Sequence, residues 1–139
     1  MRPPFLRALL LIVPLAAAVS GCSSSETFVT PTPSEVTESF SGTVGQGGEA
    51  YHAVVARSGS VITTMAAIGP DASANIGLSI GILNSYACAA LMDNPPAQVG
   101  SQLLATTTGT TTVCVHVYDN GTVAADTTRS YELTIKYTK

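Results

Sequence analysis

Ile76-Gly77-Leu78-Ser79-Ile80-Gly81-Ile82 alternates large apolar and small residues, and Leu83 ends the stretch. Successive side chains of an extended strand point to opposite faces, so Ile76, Leu78, Ile80 and Ile82 share one face and Gly77, Ser79 and Gly81 share the other. This period of two marks the segment as a strand with a buried face. Glycine inside a strand weakens it, so two of them on the second face predict a close neighbour or a bend.

The same period recurs on both sides. Downstream, Asn84-Ser85 turns the chain into a strand over Tyr86 to Met92, and Asp93-Asn94-Pro95-Pro96 reads as a loop because proline cannot donate to a central ladder. Gln98 to Ala105 forms a further strand. In Thr111 to Tyr118, Val113, Val115 and Val117 face inward, with Cys114, His116 and Tyr118 opposite. Asp119-Asn120-Gly121 is a turn, and Ser130 to Tyr137 closes the pattern with Tyr131, Leu133, Ile135 and Tyr137 inward. Upstream, Gly69-Pro70-Asp71 ends a strand over Ser60 to Ile68 whose two faces are both moderately apolar. Ala50 to Ala56 alternates ambiguously, with Tyr51, Ala53 and Val55 on one side and His52 and Val54 on the other. Ser39 to Val44 precedes the turn Gly45-Gln46-Gly47-Gly48. About seven or eight short strands without a helical stripe predict an all-β fold, an antiparallel β-sandwich of jelly-roll-like form over residues 38–139. Periodicity does not order the strands.

Ahead of this pattern the composition changes. Arg2 and Arg7 precede the apolar stretch Leu9 to Val19, which is shorter than the roughly 20 residues a membrane span needs. Small residues crowd its end, as a cleavable signal peptide requires. Val19-Ser20-Gly21-Cys22 resembles the lipobox of bacterial lipoproteins. The resemblance implies a signal peptide over residues 1–21, a Cys22 that becomes the lipidated N-terminus with palmitate-type acyl chains, and a membrane anchor as the first partner. It also implies a place in the bacterial cell envelope, with Ser23 favouring the outer over the inner membrane. An ordinary secretory signal cut near Ala18 is the alternative. Residues 22–37, from Cys22 through a Ser/Thr/Pro-rich segment holding Pro31 and Pro33, read as a tether.

The whole chain has 6 basic and 9 acidic side chains; without Arg2 and Arg7 the count is 4 minus 9, or −5. That balance lacks the basic stripe of a nucleic-acid binder. Of the three cysteines, Cys22 is taken by lipidation, and Cys88 and Cys114 are left in an exported segment where oxidation favours pairing. Such a bridge would contribute about 3.5 kcal/mol by restricting the unfolded chain, and would link neighbouring elements at the surface or edge. Two buried free thiols are the alternative.

Several stretches together resemble the bacterial pre-peptidase C-terminal (PPC-like) domain. They are Ser41-Gly42-Thr43-Val44 with Tyr51-His52-Ala53-Val54, Gly59-Ser60-Val61, Gly77-Leu78-Ser79-Ile80-Gly81, Cys88, Thr112 to Asp119, and Tyr131-Glu132-Leu133-Thr134-Ile135. The resemblance implies a jelly-roll sandwich that assists secretion, stability or substrate contact without catalysis. This chain departs from that pattern in carrying no peptidase.

Three constellations invite chemistry. Gly77-Leu78-Ser79-Ile80-Gly81 matches G-x-S-x-G, and Asp93 and His116 follow in the order that serine hydrolases use. That motif works on a sharp strand-to-helix turn, whereas here it lies inside an alternating strand, so no catalytic residue and no enzyme is expected. His52 and His116 lack the spacing of a zinc site, and Asp93, Asn94, Asp119 and Asn120 are ordinary turn formers as readily as calcium ligands. No metal and no cofactor is expected. With no Trp and five Tyr, the aromatic platform for sugar stacking is thin. The expected function is a lipid-anchored, non-catalytic binding or structural module. The alternatives are a carbohydrate-binding or adhesion module and an accessory subunit of an envelope complex; the partner would be an envelope glycan or protein.

Overall fold

A computed structural model describes residues 31–139; Cys22, the leader and the first part of the expected tether lie outside the described residues. Eight strands follow in order: β1 Glu35–Gly45, β2 Glu49–Ala56, β3 Gly59–Gly69, β4 Ile76–Asn84, β5 Ala87–Ala97, β6 Gln102–Thr107, β7 Thr111–Tyr118 and β8 Thr128–Thr138. They form two four-stranded antiparallel sheets, β1-β8-β3-β6 and β2-β7-β4-β5.

The ladders nest. β4 pairs with β5, β3 with β6, β2 with β7 and β1 with β8, so the chain is one long hairpin rolled upon itself. Contacts of β3 with β8 and of β4 with β7 then complete the two sheets. This is the jelly-roll arrangement, and the all-β sandwich expected from the periodicity is the observed fold.

The core lies between the sheets. Ile76, Leu78 and Ile80 of β4 face Leu133 and Ile135 of β8 and Val61 and Met65 of β3, and none of these side chains is exposed. Full burial of each such side chain contributes about 1.5–3 kcal/mol. Tyr131 and Tyr137 are buried with them, as the alternation in β8 requires. The ambiguous pattern of β3 has a physical cause. Val61, Thr63 and Met65 point inward, the register shifts between Met65 and Ala67, and the buried residue after it is Ile68. One extra residue at the bulge changes the parity of the pattern.

Three local expectations are corrected. Asp93-Asn94-Pro95-Pro96 is not a loop but part of β5, which continues to Ala97. β5 is an edge strand, so a missing proline donor leaves no central ladder broken. Its register passes from Leu78↔Asn94 to Ile76↔Ala97, so the prolines sit in a bulge. Gln98 to Ser101 is a turn, in which Ser101 N–H donates to the Gln98 carbonyl, and β6 begins only at Gln102. At the other end, β1 starts at Glu35, so the last three residues of the expected tether already pair with β8.

Candidate functional site

The outer face of sheet β2-β7-β4-β5 is where the chemistry-bearing side chains converge. Cross-strand register sets Tyr51 of β2 beside His116 of β7, His116 beside Ser79 of β4, and Ser79 beside Asp93 of β5. The three hydrolase-like residues are therefore neighbours on adjacent strands. Their hydrogen bonds go elsewhere. His116 Nε2 lies 2.9 Å from Glu49 Oε2, and Asp93 Oδ1 accepts from the Tyr118 hydroxyl at 2.7 Å. Ser79 is only 4 % exposed within an unbroken strand, not raised on a turn. A nucleophile needs an adjacent base and open access to substrate, and this serine has neither arrangement.

What the register builds instead is a stack of rings. Tyr51 and His116 lie 4.3 Å apart at an interplanar angle of 4°, and His116 and Tyr118 lie 4.9 Å apart at 27°. Tyr51 also donates to Glu49 Oε2 at 3.1 Å, so one carboxylate oxygen serves both a tyrosine and a histidine. At the far end, the Tyr118 ring lies against Gly77; a Cβ there would come within 2.2 Å of the ring. Burial, then the hydrogen bond and charge of Asp93, push the Tyr118 phenol up to about 12. Burial and Glu49 push Tyr51 in the same direction.

Cys88 and Cys114 are bridged, with Cα atoms 5.9 Å apart. The bridge does not link neighbouring strands as expected. β5 and β7 flank β4 on opposite sides, so the bridge passes across the outside of β4 beside Gly81. A Cβ on Gly81 would lie 2.2 Å from the Ala89 carbonyl oxygen, because the β5 backbone there leans over β4. The register shift between Ile80 and Gly81 supplies the slack. The glycine face of β4 thus has the close neighbour its sequence predicts.

The two histidines sit on opposite sides of the sheet. His52 pairs with Val115 and points inward, where its Nε2 lies 2.8 Å from the Tyr131 hydroxyl and its ring packs near Phe40. Burial lowers its pKa, which favours the neutral ring. They cannot share one metal ion. The Asp119 carboxylate is spent on the backbone: Oδ2 accepts from Gly47 N–H, and Oδ1 from the N–H groups of Gly121, Thr122 and Val123. Those bonds hold its pKa below the ordinary value and tie the β7–β8 loop to the β1–β2 turn. Asn120 Nδ2 donates to Asn75 Oδ1 and the Pro95 carbonyl, joining the β3–β4 loop and the end of β5. Here Asp and Asn act as loop fasteners.

Beside the ring stack lies a half-open cleft of about 500 Å³, walled by Tyr51 on one side and by Leu83 and Tyr86 on the other, with Ala53 and the Cys88–Cys114 bridge among its lining. Sequence reasoning placed Cys114, His116 and Tyr118 on one face. It missed Glu49, and counted Tyr51 and Tyr86 among the five tyrosines without assigning either to a site. Glu49 and Tyr51 stand two apart at the start of a strand, which was a legible sign of a shared face.

No protein-family profile and no curated protein matches the chain. Among solved structures it is similar to PliG of Aeromonas hydrophila, described as a periplasmic lysozyme inhibitor of g-type lysozyme. The identity is 15 %, covering 77 % of this chain and 86 % of that one, with a TM-score of 0.41. It is also similar to a chain of the cyanophage Pam1 capsid at 21 % identity, covering 76 % and 84 %, with a TM-score of 0.31. Neither likeness bears on function at that level of similarity.

Proposed function

We propose that this protein is a non-catalytic β-sandwich of the bacterial cell envelope, anchored by lipid at Cys22 and displaying its domain as a binding module. The single observation that carries the binding role is the outer face of β2-β7-β4-β5. There Glu49, Tyr51, His116, Tyr118 and Asp93 hold one another in fixed positions on a partly exposed surface, and the serine beneath them is covered. Ordering exposed side chains costs conformational entropy, and a surface ordered in advance binds with less of that cost left to meet.

The anchor rests on the sequence Val19-Ser20-Gly21-Cys22 and the apolar stretch before it. The nested topology agrees with the jelly roll implied by the PPC-like resemblance, and the role proposed is the non-catalytic one of such a domain. Acylation contributes about 0.8 kcal/mol per buried CH₂, so a multiply acylated cysteine would hold the domain at a membrane surface.

The test is fractionation of cells that produce the wild-type chain and Cys22→Ala. The wild-type should partition with membranes and yield a diacylated N-terminal peptide by mass spectrometry, and Cys22→Ala should appear in the soluble fraction. A Cys22→Ala protein that stays membrane-bound would overturn the anchor.

A further inference from the structure

We infer that the cleft between Tyr51 and Tyr86 is a saccharide site, and that its ligand is an uncharged oligosaccharide. This deepens the binding role proposed above and rests on it. Three observations converge. The first is charge. No Asp, Glu, Lys or Arg lines the cleft, whose walls are tyrosine and leucine and whose lining includes alanine and a disulfide; His52 also borders it, but its ring turns inward to the Tyr131 hydroxyl and burial favours its neutral form. The Glu49 carboxylate bonds the Tyr51 hydroxyl, and residues 22–139 carry 4 basic against 9 acidic side chains. A polyanion would be repelled, and an isolated cation would find no carboxylate inside the cleft.

The second is the state of the two tyrosines. Tyr86, beyond the end of β4, is 101 % exposed, and nothing in the fold is gained by placing an aromatic ring there. Tyr51 is 53 % exposed yet held, with its ring stacked on His116 and its hydroxyl tied to Glu49. The contacts run on from His116 to Tyr118, and Tyr118 rests on Gly77 and bonds Asp93. An exposed ring fixed by a chain of contacts back to the sheet is a preorganised surface. Ring faces pack against the C–H face of a pyranose, and the amphipathic phenol suits a ligand that is apolar on its faces and hydroxylated at its rim.

The third is the carboxylate. Glu49 Oε2 already accepts from Tyr51 and faces His116, which fixes the group and leaves Oε1 at the end of the Tyr51 ring. A fixed carboxylate beside an aromatic ring accepts from a sugar hydroxyl with a charge-assisted bond. An acyl chain or an apolar peptide would use the rings but not this oxygen. The open form of the cleft suits a chain lying across it rather than a buried small molecule.

The full-length protein in detergent is screened on an array of neutral and anionic oligosaccharides, and neutral hits are titrated as soluble tetrasaccharides. With no Trp in the chain, tyrosine fluorescence follows the titration, since two of the five tyrosines line the cleft and Tyr86→Ala removes the contribution of one. Retention of neutral glycans is expected, with Tyr86→Ala and Tyr51→Ala each weakening binding by about tenfold. Glu49→Gln should weaken it severalfold, and Leu104→Ala, exposed on the opposite sheet, should leave it unchanged. Tyr86→Ala removes a side chain that the fold does not use, so its effect cannot be ascribed to unfolding. Absence of neutral-glycan binding overturns the inference, as does binding indifferent to Tyr86→Ala or a profile dominated by anionic glycans. A protein captured at the cleft instead would overturn the saccharide and leave the binding module standing, whereas failure of the Cys22→Ala fractionation would touch only the anchor.

Discussion

The two sheets contain four strands each and bury their inner faces alike, but their outer faces obey different rules. On β1-β8-β3-β6 the outward positions of β1 are Glu35, Thr37, Ser39, Ser41 and Thr43, all exposed. The side-chain links there are peripheral: Lys136 to Glu35 at 3.0 Å, and Gln102 to Thr64 at 3.1 Å. An exposed ion pair of that kind contributes about 0–1 kcal/mol. The face is solvated, and short polar strand formers suffice. On β2-β7-β4-β5 the outward positions carry two glycines, a disulfide, a covered serine and three stacked rings. Its ladder with β5 is broken by two register shifts. One face is shaped by water, the other by protein lying on top of it.

Removing the bridge should have the largest effect on this contrast. The loop it closes spans a sequence separation of 26, and the chain-entropy model assigns about 3.5 kcal/mol to such a loop. At roughly 4–8 °C per kcal/mol, reduction or the pair Cys88→Ala and Cys114→Ala should lower the Tm by about 15–25 °C. Amide exchange should accelerate more in β5 than in β6, an edge strand of the other sheet. Equal acceleration in both would mean that the bridge stabilises the domain generally and does not pin β5 over β4. Alkylation of the unfolded, unreduced protein should find neither Cys88 nor Cys114 free.

Next in size is the close approach at Gly81. The atoms that a Cβ would strike there are backbone atoms of Ala89 and Ala90, which cannot rotate away. Gly81→Ala should therefore cost about 1–3 kcal/mol in urea unfolding, as overpacking does. Gly45→Ala, at the end of β1 with nothing nearer than 3.8 Å, should stay within about 0.5 kcal/mol. Similar losses at the two positions would remove the argument that β5 leans on β4.

The smallest effect has the opposite sign and belongs to the sheet β1-β8-β3-β6. Thr63 of β3 is wholly buried, and its Oγ1 has no hydrogen-bond partner. A buried hydroxyl without a partner loses its hydration uncompensated, so the nearly isosteric Thr63→Val should gain about 1 kcal/mol. A loss of stability on this substitution would show that the hydroxyl is satisfied in solution.

Much of the fold could be read one strand at a time. β4, β7 and β8 alternate cleanly because one side of each is packed on the core and the strand is regular along its length. β3 and β5 could not be read so, since a bulge changes which parity faces inward and periodicity assumes that it never changes. Pro95 and Pro96 misled for a related reason. Proline excludes a central strand, and nothing local in the sequence says that β5 is an edge. Within the candidate site, the face shared by Cys114, His116 and Tyr118 was legible as an alternation. The partnership of Tyr51 with His116 was not, since 65 residues separate them and only the β2–β7 register joins them.

Local chemistry by itself determined that this chain makes short antiparallel strands, which residues of the regular strands face the core, and that the glycine face of β4 must be approached closely. These follow from steric rules that act within a few residues. Tertiary structure alone decided that the strands nest as 1–8, 2–7, 3–6 and 4–5, that the bridge crosses over β4, and that Glu49, Tyr51 and His116 meet. Each of those is a choice among pairings with similar local energies. It is made by burying the apolar faces of both sheets in one shared core, a gain that exists only once distant strands have come together.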